Sequence, residues 1–181
     1  MSSQQPPQAP YRAVVMGVAG SGKTSVGEAL AARLGLPFED ADTFHPPANV
    51  AKMREGIPLT DADREPWLEI IGRWLVDHPD GAIVTCSALK RAYRDTLRRF
   101  VPEVPFLHPY GKASLVLERM SLRSATTDHF MPVTLLESQY ATLEGLQDDE
   151  AGITLDLRRS VDELVDDSIA YLQGRRGHSH L

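Results

Sequence analysis

The chain has 181 residues, of which 42% are hydrophobic and 24% charged, a composition that suits one globular domain able to bury roughly 70% of its unfolded surface. With 19 basic against 25 acidic residues the net charge is −6, which argues against non-specific nucleic-acid binding, and no stretch approaches the ~18 consecutive apolar residues of a membrane span. Cys86 is the single cysteine, which excludes an intramolecular disulfide and agrees with a reducing cytoplasm.

Met1 to Pro10 is polar and rich in Gln and Pro, without the apolar core or basic flank of a signal peptide. Residues 1–11 are expected to form a disordered tail and residues 173–181 another, leaving a single domain over 12–172. Ala13 to Met16 reads as a short buried strand, and Val26, Leu30 and Leu34 recur at helical spacing. Between them Gly17-Val18-Ala19-Gly20-Ser21-Gly22-Lys23-Thr24 matches the phosphate-binding pattern G-x-x-x-x-G-K-[ST] without a mismatch. The glycines let backbone N–H groups approach phosphate oxygens, and the following helix adds its positive N-terminal end. Lys23 is placed to reach the β- and γ-phosphates, and the Thr24 hydroxyl to ligate Mg²⁺.

Pro37 to Asp40 predicts the second strand, and Asp40-Ala41-Asp42 follows it. Two carboxylates at i and i+2 point the same way if the strand continues, one toward a metal's water shell and the other toward an acceptor hydroxyl; the alternative is a turn cap before a Pro-started helix. From Asp63 to Val76 the stripe Trp67, Ile70, Ile71, Trp74 and Leu75 predicts a core helix, with Pro66 tolerable in its first turn. Arg54 to Ala62 and Arg123 to Asp128 are expected to be mobile. Ala82 to Cys86 predicts the third strand, with Cys86 buried rather than nucleophilic. The next helix carries Lys90, Arg94 and Arg98 on one face, read as solvated for most of these. Lys90 differs, because a cation in a first helical turn calls for a compensating anion.

Val104 to His108 and Ile153 to Leu157 are the remaining strands. Between them a helix from near Lys112 carries Arg119 and Arg123 four apart, either closing over a nucleotide or forming surface ion pairs. His129 is a ligand contact or a loop histidine. Thr134 to Glu137 and Ser160 to Glu163 match capping boxes. Strand runs alternating with helical patterns predict an α/β fold with a parallel sheet covered by helices.

Taken in order, Gly17–Thr24, Asp40–Pro46, Asn49–Met53, Gly56–Leu59, Asp61–Trp67, Cys86–Lys90 with Tyr93-Arg94-Asp95, and His129–Pro132 with Ser138-Gln139 resemble the small P-loop gluconate kinases, or gluconokinases, of the shikimate-kinase-like group. The resemblance covers residues 12–172. It implies ATP-dependent phosphorylation of D-gluconate at its 6-hydroxyl by a cytoplasmic homodimer. It also implies a three-layer α/β/α kinase with a five-stranded parallel sheet of order 2-3-1-4-5 and a small lid near 119–131. By that likeness Gly17, Val18, Ala19, Gly20, Ser21, Gly22, Lys23 and Thr24 hold ATP, Thr24 and Asp40 serve Mg²⁺, and Asp42 meets the acceptor hydroxyl. His45, Arg64, Lys90, His129 and Gln139 are candidates to contact gluconate, and Arg119 and Arg123 are lid arginines. Here Ser124 to Asp128 lengthens the usual Arg-x-Gly-His-Phe step. A shikimate kinase would carry a Gly-rich segment in place of Cys86-Ser87-Ala88, and a GTP-dependent switch would need an Asn-Lys-x-Asp segment, which the sequence lacks.

Overall fold

Strands β1 (Arg12–Val15), β2 (Phe38–Asp40), β3 (Ala82–Thr85), β4 (Phe106–Tyr110) and β5 (Gly152–Asp156) pair in parallel in the order β2-β3-β1-β4-β5. That is the expected order. The computed structural model describes residues 11–124 and 133–176. Parallel neighbours require crossover connections, and these are supplied by α1 (Lys23–Leu34), α2 (Pro47–Arg54), α3 (Asp61–Val76), α4 (Arg91–Phe100), α5 (Ala113–Ser124) and α6 (Val133–Thr142), with α7 (Val161–Arg176) closing the chain. Among the described residues no helix is long and apolar enough to cross a membrane.

The central strands are apolar on both faces because helices cover both. Val14, Met16, Val84 and Phe106 face one core with Trp67, Leu68, Ile71, Leu75 and Leu97. Ala13, Val15, Ile83 and Leu107 face the other with Val26, Leu30, Leu34, Leu164 and Val165. A third cluster joins Val18 and Leu89 to Val116, Leu136 and Leu157, and so packs α5 and α6 onto the mouth of the sheet.

Several boundaries differ from expectation for identifiable reasons. The fourth strand begins at Phe106 rather than Val104, because the Val104 N–H turns back to the Val101 carbonyl. Pro109 is tolerated within it because β4 pairs with β1 only at Phe106 and Leu107. Helix α3 starts two residues earlier than expected, at Asp61, with a capping box in which the Thr60 and Asp63 side chains each accept from the other's backbone N–H. Pro66 therefore lies in its second turn rather than the first. On α3 Ile70 is exposed and Leu68 takes its place in the core. Thr134 sits inside α6, which begins at Val133, whereas Ser160 does cap α7 by accepting the Glu163 N–H. Tyr11 belongs to the folded body, its carbonyl accepting from Ala82, and α7 continues past Leu172 to Arg176.

Candidate active site

The loop between β1 and α1 is bent by residues that only glycine accommodates well. Gly20 has φ 76° and Gly22 φ 79°, values an L side chain rarely adopts. At Gly20 a Cβ would come within 2.8 Å of Met120 on α5, while at Gly22 it would project into open space. That opening lies at the start of α1. The first intrahelical bond runs from Val26 N–H to the Gly22 carbonyl, so the N–H groups of Gly22, Lys23, Thr24 and Ser25 have no acceptor within the helix and mark its positive end. These features form a cradle for an anion. A pocket beside it is lined by Gly20, Gly22 and Ser25, by Arg119 of α5, and by Leu157 and Arg159 of the β5–α7 connection. Arg119 thus shares this pocket with the loop. The participation of Arg159 was not legible in its local sequence, since only the sheet order brings the end of β5 to this place.

Not every N–H in the motif is free for a phosphate. Gly17 donates to the Ser87 carbonyl, Ser21 to the Val18 carbonyl, and Ala19 to Gln139 Oε1 at 2.6 Å. Ala19 and Gln139, expected to hold ATP and gluconate respectively, are therefore engaged with each other.

After β2 the chain does not continue as a strand. Asp40 becomes the cap of a 3-10 turn, Ala41–Phe44, its Oδ1 accepting the Asp42 N–H at 2.9 Å. The two carboxylates are thus not equivalent neighbours on a strand face: Asp40 anchors the turn, and Asp42 stands exposed beyond it. His45 is held beneath. Its ring stacks on Trp67, whose indole N–H donates to the Ala41 carbonyl at 2.7 Å. Asn49 Nδ2 donates to both the Asp63 carbonyl, at 2.9 Å, and His45 Nδ1, at 3.2 Å. An amide nitrogen can only donate, so Nδ1 carries no proton and Nε2–H points toward Asp42 Oδ1, 3.9 Å away. Burial draws the His45 pKa below its ordinary value; Asp42 opposes this and Arg64 assists it. The role of the buried Asn49 depends on a contact between α2 and α3 that no local sequence pattern shows.

The third strand ends at Thr85, one residue short of the expected end, and the buried Cys86 follows it; burial pushes its thiol up to about 12, too high for a thiolate nucleophile near neutrality. The charges of Asp42, Lys23 and Arg64 all act on that thiol. Cys86 follows the carboxyl end of β3, on the side of the sheet where open α/β folds bind ligands.

Lys90 caps α4 and donates to Asp61 Oδ1 at 3.2 Å; Tyr93 donates its hydroxyl to the same oxygen at 2.5 Å. These bonds, first that from Tyr93, hold the Asp61 carboxyl below its ordinary range. The anion that compensates Lys90 is therefore a side chain of this chain, in an exposed pair. Arg64 lies over the Tyr93 ring at 5.4 Å and donates to the Leu59 carbonyl. Lys90, Arg64 and Tyr93 thus form a cationic and hydrogen-bonding wall suited to a small carboxylate.

Arg94 corrects the expectation of a solvated arginine face. It is fully buried, pairs through both Nε and Nη2 with the buried Glu150, and donates to the Ala88 carbonyl at 3.0 Å. Arg98 joins it, donating to Glu150 at 2.9 Å with its guanidinium over Phe106. Ala88 has φ 44°, a strained value for alanine, and the arginine's hold on its carbonyl fixes the bend that turns Ser87 toward the phosphate loop and Lys90 toward Asp61. The Arg123 side chain and His129 lie outside the described residues.

A family model described as shikimate kinase matches residues 19–108. The gluconokinase of Gluconobacter oxydans (strain 621H) is 46% identical over 163 residues, 88% of this chain and 90% of that protein. The thermosensitive gluconokinase of Escherichia coli (strain K12) is 46% identical over 143 residues, 77% of this chain and 75% of that one. The crystal structure of a gluconokinase from Sinorhizobium meliloti 1021 superposes with a TM-score of 0.81 at 46% identity, covering 92% of this chain and 93% of the other.

Proposed function

The chain belongs to the gluconokinase family, and from that premise we propose that it transfers the γ-phosphoryl group of ATP to the 6-hydroxyl of D-gluconate, giving 6-phospho-D-gluconate and ADP. The observation that carries this assignment is that the anion cradle at Gly20–Ser25, the exposed Asp42 carboxylate and the Lys90 wall follow the carboxyl ends of the neighbouring parallel strands β1, β2 and β3. One end of the site suits polyphosphate, the other a carboxylate, and an exposed carboxylate base stands among them.

The sugar-acid carboxylate binds at Lys90 and Arg64, displacing the Asp61 carboxylate from Lys90. The 6-hydroxyl then lies at Asp42. As its oxygen forms a bond to the γ-phosphorus, the bond from that phosphorus to the β–γ bridging oxygen breaks, the electron pair leaves with ADP, and the hydroxyl proton passes to Asp42. Lys23 and the N–H groups at the start of α1 offset the charge on the transferring group. His45 Nε2–H orients Asp42 from below. Arg119, and Arg123 with it, closes over the nucleotide, and His129 contributes to the sugar-acid end. The Thr24 hydroxyl, in the first turn of α1, and the Asp40 carboxylate, at the carboxyl end of β2, are hard oxygen donors that would hold a magnesium ion keeping most of its water. When bound there, the ion would neutralise charge on the β- and γ-phosphates. The protein works as a single kinase domain, as a cytoplasmic homodimer.

The site of transfer is tested by ³¹P and ¹³C NMR of the product formed from Mg-ATP and D-gluconate. A phosphomonoester coupled to C6 is expected; a phosphate on another carbon would overturn the placement of the 6-hydroxyl at Asp42.

A further inference from the structure

We propose that Gln139 is a positioning residue of the phosphate loop, holding the Ala19 peptide so that the N–H groups that follow it are set for a nucleotide. The inference rests on Gly17–Thr24 being the ATP site, and not on which acceptor is phosphorylated. Gln139 Oε1 accepts the Ala19 N–H at 2.6 Å, across 120 positions of sequence. The helix that presents it is itself fixed: Tyr140 donates its hydroxyl to the Gly111 carbonyl at 2.8 Å, and Leu136, one turn earlier, is buried with Val18, Val116 and Leu157. Thus α6 touches the loop twice, through the apolar contact at Val18 and the hydrogen bond at Ala19.

The geometry gives that bond a purpose. Gly17, Ala19 and Ser21 are each tied by their N–H to a different acceptor, on the β3–α4 connection, on α6 and within the loop itself. Of these tethers, the one at Ala19 is made by a side chain. Next to it stands Gly20, whose backbone freedom is large. An untethered Ala19 peptide would rotate among several orientations, and ordering it at the moment of phosphate binding would weaken affinity. Gln139 removes that cost in advance. With its amide oxygen committed to the loop, Gln139 keeps only its Nε2 donors to offer any other partner.

The test uses the full chain and its Gln139→Met variant, which keeps the side-chain length and loses the acceptor. The dissociation constant of Mg-ATP is measured by calorimetry without gluconate, and KM for each substrate is measured in turnover. The dissociation constant and KM for ATP are expected to rise about three- to tenfold, the range of one hydrogen bond, with KM for gluconate unchanged. A rise in KM for gluconate with ATP binding unaltered would make Gln139 a sugar-acid ligand and overturn the proposal, as would no change in either. Amide exchange gives an independent readout. The Ala19 N–H should be protected in the nucleotide-free wild type and in Gln139→Glu, which keeps an acceptor oxygen, and should exchange freely in Gln139→Met. Free exchange in the wild type would overturn the proposal even if a variant folds poorly. Wild-type protein that binds Mg-ATP but does not turn over gluconate would defeat the assigned reaction and leave this inference standing.

Discussion

The imidazole of His45 lies against the indole of Trp67, with ring centroids 4.2 Å apart and planes 13° from parallel. This stack, with the Asn49 amide donating to Nδ1, fixes the imidazole beneath Asp42 with its proton on Nε2.

It follows that His45 titrates below its ordinary 6.5, because burial disfavours the imidazolium. The sign for stability is that the unfolded chain takes up the proton first. His45 therefore costs no stability above pH 6.5 and erodes it as pH falls from 6.5 toward the folded value. A ¹H–¹⁵N NMR titration should show the Nε2–H form at neutral pH and a midpoint under 6.5; a midpoint above 6.5 would contradict the burial argument.

Replacing Asp42 by Asn removes the base and keeps its shape. The turn that positions it is anchored by Asp40, not by the Asp42 carboxylate, so folding should be unaffected. We expect kcat to fall by about 10²–10⁴-fold with little change in Mg-ATP affinity. Steady-state kinetics that leave kcat unaltered would remove Asp42 from the role of base.

Lys90 and Asp61 should respond in opposite directions. Lys90→Met removes a charge-assisted contact and should raise KM for gluconate about 10-fold or more. Asp61→Asn removes the carboxylate that competes for the same ammonium and should lower that KM. A rise in KM for both variants would mean that Asp61 orients Lys90 for the substrate instead of standing in its place.

Arg94→Met leaves the Glu150 carboxylate buried with Arg98 as its remaining cation. Breaking a buried pair in this way costs about 3–5 kcal/mol, to be read from urea unfolding. Glu150 also carries a pH signature. Burial alone would raise its pKa, but the bonds from Arg94, the Gln147 N–H and Arg98 outweigh that and hold it well below the usual carboxylate range. Its contribution is therefore complete above the unfolded value of 4.5 and is lost as pH falls below that toward the folded value. If the variant unfolds at the wild-type urea concentration, Arg94 is not holding the Ala88 bend as described.

Much of this arrangement can be read in the chain. The alternation of apolar runs with helical patterns predicts the parallel sheet, and the loop at Gly17–Thr24 is identifiable because strand, glycines and helix occur together. Long-range polar pairings are what local patterns miss. Arg94 has the periodicity of an exposed helix face, yet Glu150, 56 residues on, draws it inside. The partners Lys90–Asp61 and Ala19–Gln139 are likewise joined only by the fold. Asp40 shows a different limit. Its pairing with Asp42 suggests a shared strand face, but a short acidic side chain at a strand end bonds readily to the backbone two residues on, and that bond turns the chain.

The central claim, that a phosphate cradle and a sugar-acid wall together make a gluconate kinase, is tested most directly by ADP release. Purified protein with Mg-ATP should release ADP rapidly with D-gluconate and only at background rate with shikimate or with buffer alone. Release with gluconate no faster than with shikimate or buffer would contradict it.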